Sequence, residues 1–198
     1  MVKRSQIEHI IRSATNIGDV HEIIIIGSQS ILGKFPNPPQ PLDQSMEVDI
    51  IVPGHPHISE IIDGAIGEGS PFHKHFGYHA HGVDESTAIL PRGWQERLIK
   101  IQNENTDLRI GWCLDPTDLA CAKLIAHREK DLAFVRAMIE KGFCDINEII
   151  ERLDCVEGHE TLVKAAREVA LSWCRSRPSK IEHQSGQDPD SGPLDFSP

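Results

Sequence analysis

The stretch Ile23-Ile24-Ile25-Ile26-Gly27-Ser28-Gln29-Ser30 and, after a proline-rich interval, Met46-Glu47-Val48-Asp49-Ile50-Ile51-Val52 together decide how this chain is read. Two apolar runs of strand length flank a Gly-Ser turn. Side chains alternate across a strand, so Glu47 and Asp49 point to one face while Val48 and Ile50 point to the other. Two carboxylates side by side on a strand suit a divalent cation, and the competing reading is a half-exposed strand with a solvated acidic face. The apolar residues on both sides of the pair favour a central strand, where carboxylates without partners are unfavourable. A short helix opening at Ser28 or Gln29 would present backbone N–H groups without helical partners, a seat suited to phosphate. Phosphate seat and metal seat then face each other.

The 198 residues, 39% hydrophobic and 25% charged, fit one globular domain with short extensions. Apolar runs stay well short of the roughly 18 residues of a membrane span, and Met1 to Gln6 leads into an amphipathic pattern instead of a signal sequence. A cytoplasmic protein without membrane association is expected. Five cysteines (Cys113, Cys121, Cys144, Cys155, Cys174), odd in number and without a close pair, read as reduced and mostly buried thiols. The formal net charge of −10 disfavours long-range attraction to nucleic acid, so a polynucleotide partner would have to be held locally.

In chain order, Ile7, Ile10, Ile11, Ala14 and Ile17 recur at helical spacing behind Ser5 and stop at Gly18. Glu22 to Ile26 reads as a strand buried on both faces. The interval Lys34 to Gln44, with Pro36, Pro38, Pro39 and Pro41, reads as a loop, either a lid or a spacer. A helix follows His55-Pro56-His57 and ends at Gly67. Short strands are expected over Gly77 to Val83 and Thr87 to Leu90, around a turn at Asp84-Glu85, and again over Leu98 to Gln102 and Leu108 to Cys113. The sheet is therefore mixed.

Asp115-Pro116-Thr117-Asp118 is a strong helix start, and the apolar pattern behind it predicts one buried helix to about Lys141, capped by Gly142. Lys123, His127, Lys130 and Phe134 would share one stripe of it. Two further helices follow, one capped by Asp145 and one spanning about His159 to Arg175. From Arg177 the composition is too polar to fold alone. The expected organisation is a domain over 1–153, a C-terminal helix over 154–176 and a flexible tail over 177–198.

Apolar strand, Gly-Ser turn, carboxylate strand and a later helix bearing a lysine together resemble the DNA polymerase beta-like nucleotidyltransferase superfamily. The likeness is nearest to small bacterial members related to toxin-antitoxin and abortive-infection toxins. Their helix motif reads roughly Asp-Leu-x-x-x-Lys-Leu-x-Ala-x-Arg-x-x-Asp, and this chain has Asp118-Leu119-Ala120-Cys121-Ala122-Lys123-Leu124-Ile125-Ala126-His127-Arg128-Glu129-Lys130-Asp131. The resemblance covers about Glu22 to Leu153. It implies an α/β nucleotidyltransferase-type fold, with a mixed sheet flanked by helices and a C-terminal helical extension. By the same resemblance Gly27 and Ser28 contact nucleotide phosphates, Glu47 and Asp49 bind Mg2+, Lys123 reaches a phosphate, and Arg128 and Asp131 orient each other or the helix.

The chain departs from the family pattern in three places. Glu47 stands where aspartate is more usual, the interval between Ser28 and Glu47 is longer, and the third carboxylate of active members has only Asp84 and Glu85 as candidates. Turn acids such as these two usually read as solvated or capping residues. Lys123 is equally readable as a salt-bridged lysine on a packed helix. His73, His75, His79 and His81 form two H-x-H pairs, which suit zinc or nickel or arise by chance in a chain with 11 histidines. The preferred function is magnesium-dependent transfer of a nucleoside monophosphate from a nucleoside triphosphate to an RNA or protein acceptor. The alternative is a catalytically degenerate module that binds nucleotide or a cognate partner protein in a toxin-antitoxin-like setting.

Overall fold

Strands β1 (Glu22–Ile26), β2 (Glu47–Ile51), β3 (His79–Gly82), β4 (Ile99–Ile101) and β5 (Ile110–Cys113) form one mixed sheet in the order β3-β2-β1-β5-β4. The computed structural model describes residues 2–39, 42 and 45–176. Central β1 runs antiparallel to β2 and parallel to β5, while β3 is parallel to β2 and β4 antiparallel to β5. Ile23 to Ile26 are all buried, as a β-branched run in the middle of a covered sheet requires.

Helix α1 (Arg4–Ile17) buries Ile7, Ile10, Ile11 and Ala14, the stripe set by its apolar spacing. A Cβ on Gly111 of β5 would lie 2.3 Å from Ile11 Cδ1, so the small residue lets α1 sit close on the sheet. Helix α2 (Pro56–Ile66) buries Ile62 and Ile66 and packs on β3. The short α3 (Pro71–Phe76) leads into β3; Ser70 caps it by accepting from His73 N–H, and left-handed Gly77 closes it.

Two expectations fail. The single helix predicted from Asp115 to Lys141 is two helices, α4 (Pro116–Ala126) and α5 (Glu129–Glu140). His127 takes a left-handed conformation (φ 55°) and closes α4, and Arg128 is extended at the start of α5. Neither glycine nor proline marks this break. The strand predicted over Thr87 to Leu90 does not form: Asp84 accepts a hydrogen bond from Ser86 N–H (2.8 Å) and starts a 3₁₀ turn over Glu85–Thr87. The described part of the proline interval is irregular, with Phe35 stacked on Phe143 (4.1 Å between ring centres) and Leu42 buried. Pro41, Gln44 and the expected tail from Arg177 lie outside the described residues.

Helices α6 (Ile146–Leu153) and α7 (Glu160–Ser176) pack against α4. All five cysteines are free, and burial pushes the Cys113 and Cys144 thiols up to about 12, leaving them inert as nucleophiles. Among the described residues no helix is long and apolar enough to cross a membrane.

An ion-pair knot ties the helical layer to the segment ahead of β4. The carboxylate of Asp118, fully buried on α4, accepts from Arg97 Nε (2.8 Å) and Nη2 (2.9 Å) and from Arg152 Nη1 (2.9 Å) on α6. Removing one member of a buried pair strands the others. Asp118→Ala is expected to lose about 3 kcal/mol in chemical denaturation, and a loss below about 0.5 kcal/mol would contradict this role.

Candidate active site

Glu47 and Asp49 project from the same face of β2, beside the turn that leaves β1. In the antiparallel register Asp49 pairs with Ile26, so its side chain falls next to Gly27. Gly27 has φ 67°, and a Cβ on it would lie only 2.1 Å from Asp49 Oδ2. The absent side chain is thus what lets the carboxylate lie against the backbone. Beyond it, Ser28 opens a 3₁₀ turn over Ser28–Gly33. Buried Gln29 ties this turn to the start of β2 by donating to the Ser45 carbonyl (3.2 Å).

The parallel register of β2 and β3 sets His79 across from Glu47 and His81 across from Asp49. His81 Nδ1 lies 3.2 Å from Asp49 Oδ1 and 3.6 Å from Glu47 Oε1. Glu47, Asp49 and His81 offer ligand atoms within 4.8 Å of one another, the one such group among the described residues. Burial and the neighbouring Glu47 charge push the Asp49 carboxyl up to about 6, against the opposing pull of His81. Burial disfavours the charged His81 ring, but the two carboxylates outweigh it and raise its pKa above the ordinary value.

Lys123, near the end of α4, is buried, and its Nζ donates to Asp131 Oδ1 (2.7 Å) and sits 4.6 Å from the centre of the Phe134 ring. Burial lowers the lysine's pKa and Asp131 opposes that. Asp131 also accepts from Arg128 Nε, so it braces both cations across the helix break; burial works against its charge, and the two cations hold its pKa below the usual range. Lys123, Lys130 and Phe134 line one cavity of about 450 Å³ together with Ser28, Glu47 and Asp49. His127 is exposed. A second cavity of about 520 Å³ shares Glu47, Asp49 and Lys123 with the first and is also lined by Gly27, His81, Val83, Ile89 and Leu119.

Of the residues singled out by sequence, Gly27, Ser28, Glu47, Asp49, Lys123 and Asp131 line these two adjoining cavities, and Arg128 borders the second. Asp84 and Glu85 are not brought to the acidic pair. Asp84 caps its own turn and Glu85 Oε1 accepts from Gly54 N–H (3.1 Å), because β3 ends at Gly82 and the chain turns away before reaching them. His81 stands beside the acidic pair instead. Its signal was present in the H-x-H pair, whose i, i+2 spacing matches that of Glu47 and Asp49, but the strand pairing that joins the two motifs is not written in either. The four-histidine grouping is not assembled: His73 and His75 lie on α3, and His73 Nδ1 accepts from Gly69 N–H.

A sheet of this order carrying paired acids beside a Gly-Ser turn has the architecture of a nucleotidyltransferase. A family model described as "Nucleotidyltransferase of unknown function (DUF6036)" matches residues 5–173, and the chain belongs to that family. No curated protein and no solved structure matches the chain.

The raised Asp49 pKa carries a sign. A carboxyl whose folded pKa lies above its unfolded value adds stability below the unfolded value and loses it as pH rises to about 6. Asp49→Asn is therefore expected to stabilise the metal-stripped protein at pH 8 by about 1–2 kcal/mol and to give little gain at pH 4. Denaturation in EDTA at the two pH values measures this, and destabilisation at pH 8 would contradict it.

Proposed function

We propose that this protein transfers a nucleoside monophosphate from a nucleoside triphosphate to a hydroxyl acceptor with the help of a divalent cation. The observation that carries this reading is the contact of Asp49 with Gly27, which sets the acidic pair against the turn where phosphate would lie. Family membership supports the reaction class.

The donor set fits a divalent cation. Glu47 and Asp49 are neighbouring carboxylates, Asp49 is disfavoured in its charged form as it stands, and His81 completes three ligands. Glu47, Asp49 and His81 would hold the ion. A bound cation supplies neutralisation of charge on the attacking and leaving oxygens. The chain's own residues do the positioning. Ser28 offers a hydroxyl to the triphosphate at the cavity wall, and Lys123 gives one of its three N–H donors to Asp131 and can direct another to a phosphate. Lys130 adds a second positive charge, and Phe134 an aromatic wall, to the same cavity.

The acceptor hydroxyl would enter from the second cavity. Its walls are mainly apolar and the chain's net charge is −10, which favours a protein side chain over an RNA end. A toxin-antitoxin-like setting with a cognate partner protein agrees with such an acceptor. A second reading is a nucleotide- or partner-binding module without catalysis. It is favoured by the grip of Asp131 on Lys123 and by the lack, among the described residues, of a third carboxylate in the acidic group.

Labelled nucleoside triphosphates incubated with the protein, divalent cation and total protein or total RNA separate the two. Transfer of label by wild type, abolished in Asp49→Ala, is the expected result. Nucleotide binding by calorimetry that survives Asp49→Ala, with no transfer to either acceptor pool, would overturn the enzymatic reading.

A further inference from the structure

Magnesium prefers an all-oxygen shell and keeps its waters, whereas imidazole suits the first-row transition cations. The centre on β2 and β3 is not all oxygen. His81 Nδ1, at 3.2 Å from Asp49 Oδ1 and 3.6 Å from Glu47 Oε1, is inside the acidic pair and not behind it. Adjacent ligands around an octahedral ion are about 3 Å apart when each lies about 2.1 Å from it, so the three side chains already stand near ligand spacing.

His79 is an independent observation pointing to the same place. Its side chain is 7% exposed, neither ring nitrogen has a hydrogen-bond partner among the described residues, and Nε2 lies 3.6 Å from Glu47 Oε2. A buried imidazole without a partner is unfavourable. A Glu47 drawn onto an ion with one oxygen would accept an N–H from His79 with the other, the arrangement by which outer residues hold metal-binding carboxylates. The ring of His73 packs against His79, 4.4 Å away between centres.

We propose that Glu47, Asp49 and His81 form a centre selective for a first-row transition cation over magnesium, with His79 as the residue that positions Glu47. The inference rests on the metal-dependent reading of this site and specifies which class of ion it takes. The imidazole in the third position supplies the selectivity, and an aspartate there would remove it.

Manganese is the probe, because its paramagnetism reports its ligands. The EDTA-stripped full chain is titrated with Mn2+ and with Mg2+, and the manganese complex is examined by electron spin-echo modulation for directly bound nitrogen. Wild type is expected to bind Mn2+ about a hundredfold more tightly than Mg2+ and to show coupling to one imidazole nitrogen. In His81→Asp the nitrogen coupling disappears and the preference narrows to about tenfold or less. His79→Asn is expected to weaken Mn2+ binding about tenfold while the His81 nitrogen signal persists, which a purely structural role would not produce. Unchanged affinity in His79→Asn would overturn its positioning role. Manganese held through oxygen alone in wild type, or equal affinity for the two ions, would overturn the selectivity and leave the transferase reading standing. Binding of neither ion, with or without a nucleoside triphosphate, would overturn both.

Discussion

The site depends on one steric fact, that residue 27 has no side chain. β1 and β2 pair antiparallel with Ile26 opposite Asp49, which drives the Asp49 carboxylate into the backbone at the end of β1. Any Cβ there would lie only 2.1 Å from Asp49 Oδ2, and the φ of 67° adds strain for side-chain-bearing residues. Glycine therefore fixes both the exit of the turn and the place of the acid. From that contact the rest follows by register. Glu47 comes up two residues earlier on the same face, and the parallel pairing of β3 sets two imidazoles beside the two carboxylates.

A second constraint places the positive charge. Lys123 is buried at the end of α4, where an unpaired ammonium would be unfavourable, and Asp131 meets it from the first turn of α5. The helix must break for this to happen. Left-handed His127 and extended Arg128 fold α5 back so that Lys123 and Asp131, eight positions apart, come within 2.7 Å. The stretch running from Asp118 to Asp131 is thus not one helical face. Its first acid anchors α4 to Arg97 and Arg152, its lysine faces the cavity, and its last acid holds that lysine in place.

Much of the frame was legible in the residues. The isoleucine run, the i, i+2 acids and the Asp-Pro helix start each encode local structure strongly; the two strands formed near their predicted bounds and the helix at its predicted start, though not at its predicted end. The failures share a cause, which is that tertiary contacts decide where local signals are weak. Nothing in Ala126-His127-Arg128 announces a helix end, and the ion pair that rewards it joins residues on two elements. Thr87 to Leu90 carries a strand-like pattern, but Asp84 turns the chain into a 3₁₀ segment first. The part played by His81 was hidden differently: both halves of the β2–β3 pairing were visible, while which strands become neighbours is set by topology.

In the proposed reaction Glu47 and Asp49 would hold a cation directly beside a triphosphate seated on the Gly27-Ser28 turn. A crystal of the full chain soaked with Mn2+ and a non-hydrolysable nucleoside triphosphate tests it most directly by anomalous diffraction. A manganese peak is expected about 2.0–2.3 Å from oxygens of both Glu47 and Asp49, with phosphate oxygens completing its shell and Lys123 Nζ against the triphosphate. A nucleotide ordered elsewhere on the protein, or one seated at the turn while the peak lies away from both carboxylates, would contradict it.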